Sequence, residues 1–117
     1  MVNDLSPVET TGSSPCLVAK VRGAMDYVTQ PELRERLKQV IARGERAVVL
    51  DLADVPFCDS AGLNVLLGAR REAENAAVLL ALACVPGPLH RILQMTGADQ
   101  VLQVFDTVAD AEAALSS

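Results

Sequence analysis

The sequence predicts an α/β domain: a mostly parallel sheet of four to five strands, an antiparallel N-terminal edge, and about four helices packed on the sheet. Three observations predict it. Short apolar runs alternate along the chain with segments of helical periodicity, and helices between strands impose right-handed crossovers and parallel pairing. Two of the runs, Ala47–Leu52 and Val78–Ala83, lack the polar alternation of a half-exposed strand, as strands covered on both faces do. Gly12-Ser13-Ser14-Pro15 signals a tight turn between the first two strand candidates, which makes a hairpin edge.

The elements follow in order. Residues 7–11 read as an edge strand paired with Cys16–Val21, which Gly23 ends. Thr29-Gln30-Pro31-Glu32 has the spacing of a capping box, with Thr29 as N-cap and Glu32 at N3. Pro31 is tolerated in a first turn, and Leu33, Leu37, Val40 and Ile41 share one face of the helix that follows. Gly44 supplies its stop. After the buried strand at residues 47–52, a second helix is expected over residues 60–75. Gly62, Val65, Leu66, Ala69, Ala73 and Ala76 form its inner stripe. The strand at residues 78–83 leads into a loop, Pro86-Gly87-Pro88. A short helix over residues 89–95 stops at Gly97. A last strand at residues 101–105 precedes a helix through Leu115, capped near Thr107.

At 117 residues, half of them hydrophobic, the chain is one domain with its own core, residues 16–115, and residues 1–6 loosely attached. Aromatics are only 3% and Trp is absent, so the core is aliphatic. A net charge of −5 argues against nucleic-acid binding, which needs a basic face. No apolar run is long enough to span a membrane, and residues 1–11 do not resemble a signal peptide. A cytoplasmic protein without membrane insertion is therefore expected. The three cysteines, Cys16, Cys58 and Cys84, sit in apolar surroundings without metal-ligand or redox spacing, and read as buried thiols. The single histidine, His90, reads as a surface or capping residue.

The most informative stretch is Asp59-Ser60-Ala61-Gly62-Leu63. It sets a small hydroxyl where a buried strand feeds a helix start, a place of unpaired N–H groups and positive dipole. Ser60 there is a cap, part of an anion site, or a phosphoacceptor. Phosphate-cradling glycine loops and a nucleophile elbow are missing, and a lone histidine leaves no Ser-His-acid triad. Asp51, Asp54 and Asp59 lie close in sequence but lack the spacing of a calcium loop, so capping and turn roles are expected rather than a metal site. No enzyme, metal or cofactor is expected.

Five segments together resemble the STAS (sulphate transporter and anti-sigma factor antagonist) domain, and more narrowly the free-standing bacterial anti-sigma factor antagonists. They are Gly23-Ala24-Met25-Asp26, Val48–Leu52, Phe57–Leu63, Arg91–Gly97 and Ala111–Leu115, all in register from about residue 17 to 115. The resemblance implies that Ser60 is phosphorylated by a partner that is both anti-sigma factor and serine kinase. The unphosphorylated antagonist binds that partner and frees the sigma factor; phosphorylation weakens the complex, and a serine phosphatase resets it. Asp59 would orient the loop and cap the helix, and Gly62 would let the partner approach closely. Asp26, Tyr27 and Thr29 are expected on the same rim, because strand ends and helix starts gather at one edge of a parallel sheet. Ala61, Leu63 and Asn64 complete the expected contact set, with core packing as the alternative for Leu63 and a turn role as the alternative for Asp26. Ala61 stands where the family often has a second hydroxyl, and Ala24 where it has an acid. The rival function is a non-catalytic STAS scaffold subunit of a transporter ATPase or stress-sensing complex.

Overall fold

A computed structural model of the chain describes residues 8–11, 16–43 and 45–116. Five strands pair in chain order: β1 (Val8–Thr11), β2 (Cys16–Arg22), β3 (Ala47–Asp54), β4 (Leu79–Ala83) and β5 (Gln103–Phe105). β1 runs antiparallel to β2, and all later pairs are parallel. The predicted sheet is therefore present with its antiparallel edge. The proposed turn at residues 12–15 and the stop at Gly44 lie outside the described residues.

The side-chain period of two decides which residues meet which helices. Leu17, Ala19, Val21, Val48, Leu50, Leu52 and Leu82 face one way. They form the main core with α1 (Gln30–Ile41), α2 (Ser60–Asn75) and α3 (Gly87–Thr96). Cys16, Val18, Ala47, Val49, Ala81 and Ala83 face the other way, against Ala111 and Leu115 of α4 (Val108–Leu115). Burial on both faces explains the unbroken apolar runs of β3 and β4. No helix among the described residues is long and apolar enough to cross a membrane.

The structure moves several predicted features. Thr29 precedes α1 but has helical backbone angles (φ −86°, ψ −12°) and makes no side-chain cap. Its hydroxyl instead accepts from Asp26 N–H at 3.0 Å and donates to the Ala24 carbonyl at 2.9 Å. Asp26 closes the turn that precedes the helix: its Oδ1 accepts from Val28 N–H and Thr29 N–H, both at 3.0 Å. The Thr29 hydroxyl is held in that turn and so does not reach the amides of α1. Ala76 is exposed rather than part of the inner stripe of α2, because the helix ends at Asn75. Gly87 and Pro88, expected in a loop, open α3, where a missing N–H costs nothing. The last strand is shorter than predicted because residues 98–100 form a 3₁₀ turn, with Leu102 N–H bonded to the Ala98 carbonyl. Thr107 caps α4 as expected, accepting from Asp110 N–H at 3.0 Å.

Candidate functional site

β2 and β3 end at the same edge of the sheet, and the two loops beyond them stay paired. Between Lys20 and Arg22 the register slips by one residue, from Lys20 opposite Asp51 to Arg22 opposite Asp54. Gly23, with φ at +86°, then turns the first loop, and its N–H donates to the Asp54 carbonyl at 3.2 Å. A side chain at that φ would be strained, which is why glycine stands there. Further out, Met25 N–H donates to the Phe57 carbonyl at 2.8 Å, and Asp59 N–H donates to the Met25 carbonyl at 3.1 Å. These bonds form an isolated parallel bridge between Met25 and Cys58. The β2–α1 loop and the β3–α2 loop are thus one continuous rim, and Ser60 stands on it as the first residue of α2.

Asp59 is the N-cap of α2. Its Oδ1 accepts from Ala61 N–H at 2.8 Å and from Gly62 N–H at 3.2 Å. Two of the amides left free at a helix start are therefore already satisfied by a carboxylate. Ser60 takes no part in the cap and is exposed. Of the three roles open to it from the sequence, the capping role belongs to its neighbour.

Gly62 is buried, and its close neighbour is the chain itself. A Cβ there would lie 2.7 Å from Cys58 Sγ and 2.8 Å from Met25 Cβ, with the Met25 carbonyl oxygen nearer still. The expectation that Gly62 admits a partner is corrected: its missing side chain lets the β2–α1 loop seat on the start of α2. Leu63, at 8% exposure, belongs to the core rather than to the contact set. α2 turns it toward the sheet with Val65 and Leu66.

A family model described as the STAS domain matches residues 7–111. The chain belongs to the STAS-domain family. Its relatives include the anti-sigma F factor antagonist of Paenibacillus polymyxa, 29% identical over 96 residues, which span 81% of this chain and 82% of that protein. The anti-sigma-B factor antagonist of Staphylococcus aureus is 29% identical over 97 residues, 83% of this chain and 90% of that protein. The crystal structure of an anti-sigma factor antagonist from Mycobacterium paratuberculosis matches with a TM-score of 0.84 at 27% identity, over 94% of this chain and 93% of that one.

On this STAS domain the rim carries Asp26, Tyr27, Thr29, Asp59, Ser60 and Ala61, all expected there, with Asn64 exposed one turn into α2. Three rim residues were not anticipated. Met25, fully buried, and Cys58, half-buried, form the bridge between the loops. Phe57 is 55% exposed beside them. The signal for Phe57 is an aromatic residue in the connection before α2 of a chain that has almost none.

Burial, and secondarily the Asp59 carboxylate, push the Cys58 thiol up to about 11. It is therefore held as an inert thiol at neutral pH. Burial raises Cys16 and Cys84 as well, assisted by Glu112 and Asp51 respectively. Asp51 and Asp54 flank the Lys20 ammonium at 3.6 and 3.4 Å, and hold it above the ordinary lysine range. Asp51 also accepts from Ala53 N–H at 3.1 Å, inside β3 rather than in a turn. Among the described residues no group of three or more His, Cys, Asp or Glu side chains is placed to hold a metal ion.

Proposed function

We propose that the chain is a cytoplasmic, non-catalytic anti-sigma factor antagonist that works by partner switching. Unphosphorylated, it binds an anti-sigma factor that is also a serine kinase, and the sigma factor is released. Phosphate transfer to Ser60 weakens the complex, and a serine phosphatase restores it. The names of its relatives support the first part of this reading.

The observation that carries the Ser60 assignment is the division of labour at the start of α2. A serine at such a place ordinarily caps the helix. Here Asp59 holds the Ala61 and Gly62 amides, so the Ser60 hydroxyl is exposed and has no cap to give up. Phosphorylation adds about −1.5 to −2 charges. A phosphate at a helix start ordinarily recruits those same amides. With Asp59 already on them, the phosphate stands beside a carboxylate and projects from the rim. There it brings bulk and a hydration shell into a slot fitted to a hydroxyl. A kinase also holds its nucleotide phosphates against the acceptor oxygen, so a phosphoserine left in place faces like charge. A change of about 3 kcal/mol alters affinity more than a hundredfold, and needs no change of fold.

Calorimetry with an ATP-free kinase, and labelling with ATP present, test this. Ser60→Ala is expected to fold normally, to bind within about threefold of wild type, and to accept no phosphate. Ser60→Asp is expected to bind about tenfold or more weakly, since one carboxylate imitates only part of a phosphate's charge and size. Labelling of Ser60→Ala as strong as wild type would remove Ser60 as acceptor. Undiminished binding of Ser60→Asp to every kinase would replace the switch with a scaffold role.

A further inference from the structure

Aromatic residues are scarce in this chain: two Phe, one Tyr and no Trp. The buried core among the described residues contains none of them. Two of the three stand instead on the rim. Tyr27 is 75% exposed, Phe57 55%, and Val28, next to Tyr27, 75%. They are three of the six large hydrophobic side chains left exposed among the described residues. A single exposed apolar side chain is ordinary, whereas several brought to one place mark a contact surface. The place is rigid. The Met25–Phe57 and Asp59–Met25 backbone bonds join the loops, and the Thr29 hydroxyl and the Asp26 carboxylate brace the turn that presents Tyr27 and Val28. Aromatic side chains presented from a fixed backbone bury much area for little lost entropy, and such residues dominate binding energy at interfaces.

We propose that Tyr27, Val28 and Phe57 form an apolar shoulder that anchors the anti-sigma factor kinase, so that affinity comes mainly from the shoulder and Ser60 supplies the switch. The inference rests on the partner-switching reading and names the chemistry of that partner's surface. Continuity selects the occupant. Phe57 lies three residues before Ser60, and its carbonyl is bonded to the loop that carries Tyr27, so a kinase that reaches the Ser60 hydroxyl covers the shoulder as well. Charge selects it further. Asp26 and Asp59 flank the shoulder, and neither is in an ion pair among the described residues. The matching surface therefore has an apolar pocket with Lys or Arg at its edge. A second copy of this chain, with a net charge of −5, would bring acid against acid there.

The test uses the full chain and the purified anti-sigma factor kinases of its source genome, without ATP, by calorimetry. The Tyr27→Ser/Phe57→Ser double variant is expected to keep the wild-type urea midpoint and to weaken binding about thirtyfold or more. Met95→Ser serves as control: Met95 is exposed at the far end of α3, and binding should stay within about twofold. With ATP added, the double variant should still be labelled at saturating kinase, its KM raised and its kcat kept. If the double variant melts early, Tyr27→Gln and Val28→Gln replace it, each expected to weaken binding about fivefold. Binding of the shoulder variants within about twofold of wild type would overturn the shoulder and leave the Ser60 switch standing. A wild-type chain that binds none of the kinases would overturn the partner-switching reading, and the shoulder with it.

Discussion

At the scale of single residues, Asp59, Ser60 and Gly62 divide three tasks among neighbouring positions. Asp59 satisfies the helix start, Ser60 stays exposed and outside the cap, and Gly62 makes room for Met25 and Cys58. The last task yields a prediction. A methyl group at position 62 would push against the Met25 carbonyl, which is fixed by its bond from Asp59 N–H. Gly62→Ala is expected to cost about 3 kcal/mol, the upper part of the range for overpacking, because backbone cannot step aside. A urea melt reads this as a lower midpoint at unchanged slope. A midpoint equal to wild type would mean that the loop is not seated on α2. The sequence made Asp59, Ser60 and Gly62 visible as a group, since small residues between a buried strand and a helix have few other uses. It did not reveal which side of Gly62 is crowded. That depends on Met25, more than thirty residues away, whose proximity follows only from the parallel pairing of β2 with β3.

At the scale of elements, the entry to α1 shows where local pattern and tertiary structure part. Thr29 and Glu32 have capping-box spacing, yet the Thr29 side chain belongs to a turn that Asp26, three residues upstream, closes onto Thr29 N–H. Both arrangements are compatible with the sequence. The loop is tied to Phe57 by its Met25 bond; Asp26 closes the turn onto Val28 and Thr29 N–H, and the Thr29 hydroxyl points back to the Ala24 carbonyl. Thr29 therefore braces the rim rather than capping the helix. Thr29→Ala removes an acceptor for Asp26 N–H and a donor for the Ala24 carbonyl in a half-buried turn. The expected cost is about 1 kcal/mol. Faster amide exchange at Asp26, with protection inside α1 unchanged, would separate this role from a helix cap. Exchange that rises instead through the first turn of α1 would restore the capping box. The strands and α2 were readable because long apolar runs and a helical stripe each admit one period. The start of α3 and the length of β5 were not, because Pro88 suits a loop and a first turn equally, and the 3₁₀ turn at 98–100 has no periodicity to show.

At the scale of the whole molecule, the sheet holds two helix starts and two loops at one edge, while the fully buried side chains on both faces include no aromatic among the described residues. Phe105 packs half-buried on the α4 side, and Tyr27 and Phe57 are left for the surface. Ser60 stands exposed on the rim as the first residue of α2, so the proposed modification there asks for no change in the core. The fold was legible almost entire from strand–helix alternation. The rim was legible as a location but not as a surface, because exposure of Tyr27, Val28 and Phe57 depends on how the loops pair. On the proposed reading, Ser60 accepts the phosphate that ends partner binding. Mapping by mass spectrometry, after incubation of the full chain with its anti-sigma factor kinase and ATP, tests it most directly. Phosphate is expected on Ser60, with retention by the immobilised kinase of unmodified chain but not of the phosphorylated one. Phosphate on another residue, or phospho-Ser60 chain retained as firmly as the unmodified form, would contradict it.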